Sequence, residues 1–162
     1  MRLVLLDRDG VINVDHGYVS AWDEWCWCDK ALDALLLLKQ KDYTTVIVTN
    51  QSGIGRGLFS FSDYASLMER ASQEANSYMD VEIWPRLTCV CPHTPETGCK
   101  CRKPATGMWN TVATYFPTVD LANSWMVGDK QQDVEFGKAV GLQTVKIPDE
   151  FRTLYDFADS LV

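Results

Sequence analysis

Short apolar runs recur along the chain and are separated by longer segments with mixed polarity. The run at residues 3–6 is uninterrupted until it meets a glycine-containing turn, a pattern typical of a strand buried on both faces of a parallel sheet. A β-branched run at residues 44–49 has the same character. In all, we predict five strands, at residues 3–6, 44–49, within 81–90, 125–127 and 144–147.

The segments between the strands are predicted to be helices at residues 31–39, 62–78, 106–116, 131–140 and 154–161. Ser62 is a suitable N-cap for the second helix, and Gly141 is a suitable residue to end the fourth. Residues 91–105 are rich in Cys and Pro and are predicted to be an irregular loop. Because strands alternate with helices, we predict an α/β fold with a parallel sheet and helices on both of its faces.

The composition is that of a globular protein with an acidic surface. The chain has 162 residues, 46% of them hydrophobic, and we expect a single domain spanning residues 1–162. A formal net charge of −7 argues against a broad nucleic-acid surface, because phosphate-backbone binding needs clustered Lys and Arg. A small phosphorylated ligand is still compatible, since a few cations and a bound metal can outweigh the global charge locally.

The first apolar run is too short for a signal-peptide core or a membrane span, because Asp7 and Asp9 follow it closely. We therefore expect a cytoplasmic protein with no membrane partner. In that compartment the six cysteines are expected to be thiols or metal ligands rather than disulfides.

Acidic side chains follow the predicted strands at their C-terminal ends, which meet at one edge of a parallel sheet. Asp7 and Asp9 follow the first strand, and Asp129 follows the fourth. Asp7 could attack phosphorus, and Asp9 could exchange a proton with the leaving oxygen and then with water. A carboxylate that faces a phosphate is repelled by it, so the site needs a cation, for which Mg²⁺ is suited.

Two further residues fit a phosphoryl-transfer site: Thr49 has a hydroxyl for a phosphate oxygen, and Lys103 has a fixed positive charge. The three acids and Thr49 also have simpler alternative roles. Asp7 and Asp9 are common turn residues, and a calcium loop is disfavoured because its later ligand positions lack a Glu. Asp129 alone would be a helix N-cap, and Thr49 an ordinary strand residue. Their joint occurrence at strand ends favours the phosphoryl-transfer interpretation.

A Cys-x-His pair is followed at short distance by a Cys-x-Cys pair. Cys91, His93, Cys99 and Cys101 supply three thiolates and one imidazole, a complete tetrahedral zinc set for a structural site. The alternatives are four unrelated loop residues or a pair of disulfides. Cys26, Cys28 and Cys89 are expected to be ordinary packed thiols.

Four motifs in order resemble those of the haloacid dehalogenase (HAD) phosphatase superfamily: residues 7–11 (DRDGV), 49–53 (TNQSG), 102–104 (RKP) and 127–129 (VGD). The match is closer to one branch, the D-glycero-D-manno-heptose 1,7-bisphosphate phosphatases, through residues 12–19 (INVDHGYV), 53–57 (GIGRG) and 126–130 (MVGDK). The resemblance spans roughly residues 2–147. It implies a HAD-like, Rossmann-type fold and a zinc-binding loop at about residues 89–103.

The resemblance also implies site roles. Asp7 would be the nucleophile, Asp9 the general acid/base, and Thr49 and Lys103 would steady the transferring phosphoryl group. Mg²⁺ would be held by Asp7, the backbone carbonyl of Asp9 and Asp129. The implied substrate-binding residues are Asp15, His16, Gly17, Tyr18, Asn50, Gln51, Ser52, Arg56, Arg102 and Lys130.

The spacing of the motifs leaves no room for the additional cap domain that many relatives of this superfamily carry, so we expect a capless enzyme with an open site. The expected reaction is removal of the C7 phosphate of heptose 1,7-bisphosphate through an aspartyl-phosphate, in the synthesis of nucleotide-activated heptose. The alternatives are a histidinol-phosphate phosphatase, another small sugar-phosphate phosphatase, or a zinc-stabilised binding module without turnover. We expect a monomer whose partner is a small phosphorylated sugar.

Overall fold

A single five-stranded sheet forms the centre of the protein, in a computed structural model that describes residues 1–162. All neighbouring strands are parallel, as predicted, and their order is β3-β2-β1-β4-β5. The strands are β1 (Arg2–Leu6), β2 (Tyr43–Asn50), β3 (Leu87–Cys91), β4 (Trp125–Gly128) and β5 (Gln143–Lys146). Because β1 lies between β2 and β4, the strand order switches beside β1, where ligand sites of open α/β sheets form.

Helices cover both faces of this sheet. They are α1 (Ala31–Gln40), the short α2 (Ser52–Gly55), α3 (Phe61–Ser77), α4 (Gly107–Tyr115), α5 (Gln131–Ala139) and α6 (Leu154–Ser160). Side chains alternate along β1, so Val4 and Leu6 pack in the core with α1, α3 and α6. Leu3 and Leu5 pack in a second core with α4 and α5. Burial on both faces accounts for the unbroken apolar sequence of β1.

The third strand is shorter than the segment predicted to contain it. It covers Leu87–Cys91, and residues 81–86 are irregular. The backbone N–H groups of Ile83 and Trp84 both donate to Oδ1 of Asn76 in α3, at 2.9 and 2.8 Å. The amide of Asn76 therefore takes the place of a β-ladder partner in this segment.

The N-cap of α3 is Ser60, and the prediction of Ser62 was wrong. Ser60 Oγ accepts the N–H of Asp63 at 3.0 Å, and Asp63 Oδ2 accepts the N–H of Ser60 at 2.8 Å. This reciprocal pair is a capping box, which satisfies two donors that Ser62 could not reach from inside the first turn. The other predicted helices agree to within one residue, and Gly141 (φ +83°) follows α5 as expected.

No cap domain interrupts the sheet-and-helix core. The connection from β1 to α1 contains only a three-residue 3₁₀ turn, Trp22–Glu24, and the region after α3 contains only short turns before β3. The C-terminal edge of the sheet is therefore bordered only by loops and the short helix α2. None of the helices has the length and apolar character required to cross a lipid bilayer.

Candidate active site

A small polar cavity of about 230 Å³ lies at the C-terminal edge of the sheet. Eleven residues line it, and only one is hydrophobic: Asp7, Asp9, Asp15, Gly17, Tyr18, Asn50, Gln51, Ser52, Arg102, Lys130 and Gln132. The structure thus brings together residues from five separate segments of the chain. Gln132 was not predicted; its side chain belongs to the first turn of α5.

Three carboxylates converge at the base of this site. Oxygens of Asp7, Asp129 and Asp133 all lie within 4.8 Å of one another. Asp133 was missed from the sequence, although it stands one helical turn after Asp129 at the start of α5. Oδ1 of Asp129 is buried and has no hydrogen-bond partner in the protein. An unpartnered buried carboxylate oxygen beside a second carboxylate is the donor set expected for a hard divalent cation.

Lys103 connects two of these acids. Its side chain is fully buried, with Nζ 3.1 Å from Asp7 Oδ1 and 2.7 Å from Asp133 Oδ1. Burial acts to lower the pKa of Lys103, but the two carboxylates outweigh it and raise the pKa. Oδ2 of Asp133 accepts the backbone N–H of Lys130 at 3.0 Å. Both oxygens of Asp133 are therefore engaged, which leaves Asp7 and Asp129 as the acids best placed to hold a cation.

Asp7 lies directly after β1 and is buried. Its Oδ1 accepts the N–H of Arg8 at 2.8 Å and also faces Lys103. Burial raises the pKa of Asp7 to about 7, with Lys103 opposing the shift and Asp133 adding to it. A further positive charge close to Asp7 would favour its ionised form, which is the form that can act as a nucleophile.

Three donors surround the carboxylate of Asp9. Oδ1 accepts Arg8 Nη2 at 2.7 Å and Asn13 Nδ2 at 3.0 Å, while Oδ2 accepts Gln51 Nε2 at 2.8 Å. Gln51 Nε2 also lies 2.9 Å from the hydroxyl of Thr49, which is buried at the end of β2. The amide of Gln51 therefore links the predicted proton donor to the predicted phosphate-binding hydroxyl.

The side chain of Asn50 holds the backbone of Lys103. Asn50 Oδ1 accepts the Lys103 N–H at 3.0 Å, and Asn50 Nδ2 donates to the Lys103 carbonyl at 3.1 Å. This paired contact fixes the end of the Cys-rich loop to β2. Asn50 lines the cavity as well, so its prediction as a substrate contact stays open.

The loop at residues 15–18 forms one wall of the cavity. Asp15 Oδ1 accepts the N–H of Gly17 at 2.9 Å, and Asp15 Oδ2 lies 3.4 Å from Nζ of Lys130. Burial would raise the pKa of Asp15, but the Gly17 N–H and Lys130 together lower it. Tyr18 lines the cavity with half of its surface exposed. His16 is exposed and lies outside the cavity lining.

Two of the predicted arginines differ in position. Arg102 lines the cavity, and its Nη1 lies 3.4 Å from the carbonyl of His93. Arg56 does not line the cavity; it is exposed, and its nearest charged partner is Glu96, at 4.0 Å. The structure thus places Arg56 beside the Cys-rich loop, and its predicted contact with substrate stays a prediction.

The four predicted zinc ligands form one cluster at the base of the Cys-rich loop. Cys91, His93, Cys99 and Cys101 place their ligand atoms within 4.8 Å of one another, and the observed separations run from 3.1 to 3.6 Å. A tetrahedral zinc with Zn–S bonds of about 2.3 Å spaces its ligands by about 3.5–3.8 Å. All six cysteines are free thiols, so the disulfide alternative for this loop is not what the structure contains.

The pKa values of two thiols in this cluster are shifted in opposite directions. Burial would raise the pKa of Cys99, but backbone N–H groups of Arg102 and Cys101 act against it, and the net pKa is lowered to about 6. Burial raises the pKa of Cys91 to about 12 in the absence of a cation. Burial thus disfavours the thiolate form of Cys91, and the positive charge of a bound thiophilic metal would offset this effect.

The chain is similar to known phosphatases over most of its length. Residues 5–157 match the polynucleotide kinase 3 phosphatase family. A D-glycero-beta-D-manno-heptose-1,7-bisphosphate 7-phosphatase from Pseudomonas aeruginosa is 38% identical over 146 residues, which is 90% of this chain and 80% of that protein. The enzyme of the same name from Salmonella typhi is 40% identical over 148 residues, 87% of this chain and 77% of that protein.

Solved structures give the same result. The crystal structure of D,D-heptose 1,7-bisphosphate phosphatase from B. bronchiseptica, complexed with magnesium and phosphate, has a TM-score of 0.81 at 30% identity. The alignment covers 98% of this chain and 97% of that one. The corresponding enzyme from Burkholderia thailandensis has a TM-score of 0.64 at 26% identity, and the alignment covers 98% of this chain and 96% of that one.

Proposed function

The chain belongs to the polynucleotide kinase 3 phosphatase family and to the branch of the D-glycero-beta-D-manno-heptose-1,7-bisphosphate 7-phosphatases, and from this membership we propose that it hydrolyses the C7 phosphate of D-glycero-D-manno-heptose 1,7-bisphosphate. The product would be the heptose 1-phosphate, an intermediate of nucleotide-activated heptose synthesis. The observation that carries the proposal is the cluster of Asp7, Asp129 and Asp133 around Lys103, beside a polar cavity of sugar-phosphate size.

The cavity favours a compact, anionic substrate. Its lining is almost entirely polar, and it is open because no cap domain covers it. Arg102 and Lys130 supply positive charge at its wall, while the chain as a whole carries −7. The lining also holds Asp7, Asp9 and Asp15, so these two cations and a bound divalent ion would together offset the charge of a small phosphate ester. Such a confined site does not favour an extended polyanion.

The proposed reaction has two steps. First, the free carboxylate oxygen of Asp7 attacks phosphorus, the bond from phosphorus to the C7 oxygen breaks, and a proton from Asp9 neutralises the leaving sugar alkoxide. Next, water attacks the aspartyl-phosphate, the bond from phosphorus to Asp7 breaks, and Asp9 takes a proton from the water. The Thr49 hydroxyl and the Lys103 ammonium steady the phosphoryl oxygens in both steps.

A magnesium ion fits the acidic end of this site. We propose that Asp7, Asp129 and the backbone carbonyl of Asp9 hold it, which is consistent with the unpartnered oxygen of Asp129. When bound, the ion supplies positive charge that favours the ionised form of Asp7 and offsets the charge of the phosphate. The presence of magnesium in the related B. bronchiseptica enzyme supports this assignment.

We also propose that Cys91, His93, Cys99 and Cys101 hold a structural zinc ion. Arg102 and Lys103 follow the last ligand directly, so the ion would fix the segment that presents both cations. We propose a cytoplasmic location, in which zinc-bound thiolates are not lost to oxidation. We propose a monomer of one domain, as the site needs no residue from a second copy.

The substrate contacts are proposed in two groups. Residues 15–18 and Lys130 would form one wall, and Asn50, Gln51, Ser52 and Arg102 the other. His16 and Arg56 lie outside the lining, so they would contact only the distal part of a bound sugar. Gln132 joins the second group, because it lines the cavity beside Arg102.

A panel of phosphate esters tests the proposal. The purified enzyme with Mg²⁺ is given heptose 1,7-bisphosphate, histidinol phosphate, p-nitrophenyl phosphate and a 3′-phosphorylated oligonucleotide. We expect the highest kcat/KM for the bisphosphate, with ³¹P NMR showing loss of the C7 phosphate only. A preference for histidinol phosphate or the oligonucleotide, or release of the C1 phosphate, would refute the substrate assignment while leaving the phosphatase chemistry intact.

A further inference from the structure

Arg8 is a fully buried cation in the middle of the candidate active site, and none of the roles described so far involves its side chain. Its relative exposure is 0%, although it follows Asp7 and precedes Asp9, both of which line the cavity. Arginine is rarely buried without a paired charge, because removing a guanidinium from water is costly. Its burial here calls for a specific partner.

That partner is the carboxylate of Asp9. Nη2 of Arg8 donates to Asp9 Oδ1 at 2.7 Å and to the carbonyl of Val19 at 2.8 Å. The Asp9 side chain keeps 17% exposure, so the pair extends from the interior to the cavity. Val19 directly follows the loop at residues 15–18, so one guanidinium nitrogen joins the proposed proton donor to a cavity wall.

The rest of the guanidinium has no hydrogen-bond partner. Nε and Nη1 are buried and unpaired, and the group lies against the rings of Trp25 and Tyr64, with Cζ 5.8 and 5.9 Å from their centroids. Cation–π contacts of this kind compensate part of the desolvation of a cation. For packing alone, an apolar side chain would suit this position better than an arginine with two unsatisfied nitrogens. The arrangement therefore favours a role at Asp9.

We propose that Arg8 is a positioning residue that fixes the Asp9 carboxylate so that its Oδ2 delivers the proton to the leaving oxygen. The proposal rests on the proposed function of Asp9. Arg8 and Asn13 both occupy Oδ1, whereas Oδ2 has only the amide of Gln51, a cavity residue. Oδ1 is thus held by the interior of the protein, and Oδ2 is the oxygen left for proton exchange.

This role predicts a dependence on the leaving group. A sugar alkoxide is a poor leaving group that needs a proton as the phosphorus–oxygen bond breaks, whereas p-nitrophenolate leaves as a stable anion. Loss of a correctly placed general acid therefore slows hydrolysis of an alkyl phosphate and spares hydrolysis of p-nitrophenyl phosphate. A residue that only supports the fold would affect both substrates alike.

The test compares Arg8→Lys, Asp9→Asn and the double variant on glycerol 2-phosphate, a simple alkyl phosphate, and on p-nitrophenyl phosphate. We expect Arg8→Lys, which keeps the charge but has a shorter reach and no planar guanidinium, to lower kcat on the alkyl phosphate about 100-fold and to change kcat on the aryl phosphate little. In the Asp9→Asn background, Arg8→Lys should have no further effect, because both changes remove the same proton transfer. Circular dichroism and thermal unfolding check the fold; should Arg8→Lys not fold, Arg8→Gln is used in its place.

The outcomes separate the two proposals. The role of Arg8 would be overturned if Arg8→Lys lowered kcat equally on both substrates, or if the losses of kcat in the double variant multiplied. The role of Asp9 would still stand in that case if Asp9→Asn lowered kcat on the alkyl phosphate only. If Asp9→Asn itself lowers kcat equally on both substrates, the assignment of Asp9 as the general acid is wrong, and so is the proposed role of Arg8, which depends on it.

Discussion

At the residue scale, the site depends on charges that are buried as a group. Lys103 is enclosed between Asp7 and Asp133; the side chains of Lys103 and Asp133 are fully buried, and only Asp7 keeps a small exposed fraction towards the cavity. A buried ion pair adds little net stability compared with apolar packing, but removing one partner leaves an uncompensated charge and is strongly destabilising. The three residues must therefore be considered as one unit.

Asp133 is predicted to be required for the fold of the site although it is not a predicted nucleophile or proton donor. Asp133→Asn removes the closer of the two carboxylates on Lys103 and should lower the free energy of unfolding by about 3 kcal/mol. Urea unfolding measures this effect. Glu135→Gln, an exposed acid on the same helix, serves as the control and should change stability little. Equal stability of both variants would show that Asp133 does not compensate Lys103.

Asp7 is predicted to destabilise the metal-free protein as pH rises. Burial raises its pKa from 3.8 to about 7, so between these values the folded state holds a proton that the unfolded state has lost. Stability from this group is therefore full below about pH 4 and falls as pH rises towards 7. Asp7→Asn should remove this decline, measured by urea unfolding without metal at about pH 5 and about pH 7.5. An unchanged decline in the variant would contradict the raised pKa.

The sequence predicted that the four motifs meet at one edge of the sheet, which the structure shows, but it did not predict which hydrogen bonds and ion pairs hold their side chains. Asp133 could have been predicted, because an acid one helical turn after Asp129 lies on the same side of α5 and therefore near the site. The contacts of Asn50 and Arg8 have no comparable signal in the sequence. Asn50 pairs with a backbone 53 residues away, and the burial of Arg8 depends on Trp25 and Tyr64. Such partners are fixed only by the tertiary packing.

At the element scale, the two corrections to the predicted secondary structure have local causes. The segment before β3 is irregular because Asn76 supplies hydrogen bonds to Ile83 and Trp84. The start of α3 could have been recognised, because Ser60 and Asp63 have capping-box spacing. The periodic pattern predicts that a helix exists more reliably than it predicts where the helix begins.

The N-cap of α3 gives a prediction that distinguishes Ser60, the cap in the structure, from Ser62, the cap predicted from the sequence. Ser60→Ala should lower the free energy of unfolding by about 1 kcal/mol, because the N–H of Asp63 loses its acceptor. Ser62→Ala should have little effect. Chemical denaturation of both variants provides the measurement, and phosphatase activity should be unchanged in each. A larger loss for Ser62→Ala would mean that the helix begins two residues later than the structure has it.

The Cys-rich loop gives a second prediction at this scale. Cys101→Ser should release the proposed zinc and lower kcat/KM at least about tenfold, because Arg102 and Lys103 follow this ligand directly. Elemental analysis and kinetics are measured on the same preparation. Cys26→Ser, an exposed thiol outside the cluster, is the matched control. Full zinc content and activity in Cys101→Ser would refute both the zinc site and its link to the active site.

At the scale of the whole molecule, the strand order explains why distant motifs meet. β1 pairs with both β2 and β4. Asp7, Thr49 and Asp129 therefore lie at the C-terminal ends of three adjacent strands. The alternation of strands and helices predicted the parallel sheet, but it cannot specify which strands are neighbours, since every central strand has the same apolar pattern. The motifs indicated convergence more directly than the hydrophobic pattern did. An uncovered sheet edge then leaves this site open.

The central claim is that Asp7 forms a covalent phosphoryl intermediate, and trapping that intermediate tests it most directly. The enzyme is mixed with Mg²⁺ and heptose 1,7-bisphosphate, quenched during turnover and reduced with borohydride, which converts an aspartyl-phosphate to homoserine. Peptide mass spectrometry should then find homoserine at position 7 only, and none when substrate is omitted or in Asp7→Asn. Homoserine at position 9, 129 or 133, or its absence under conditions that accumulate the intermediate, would contradict the proposed mechanism.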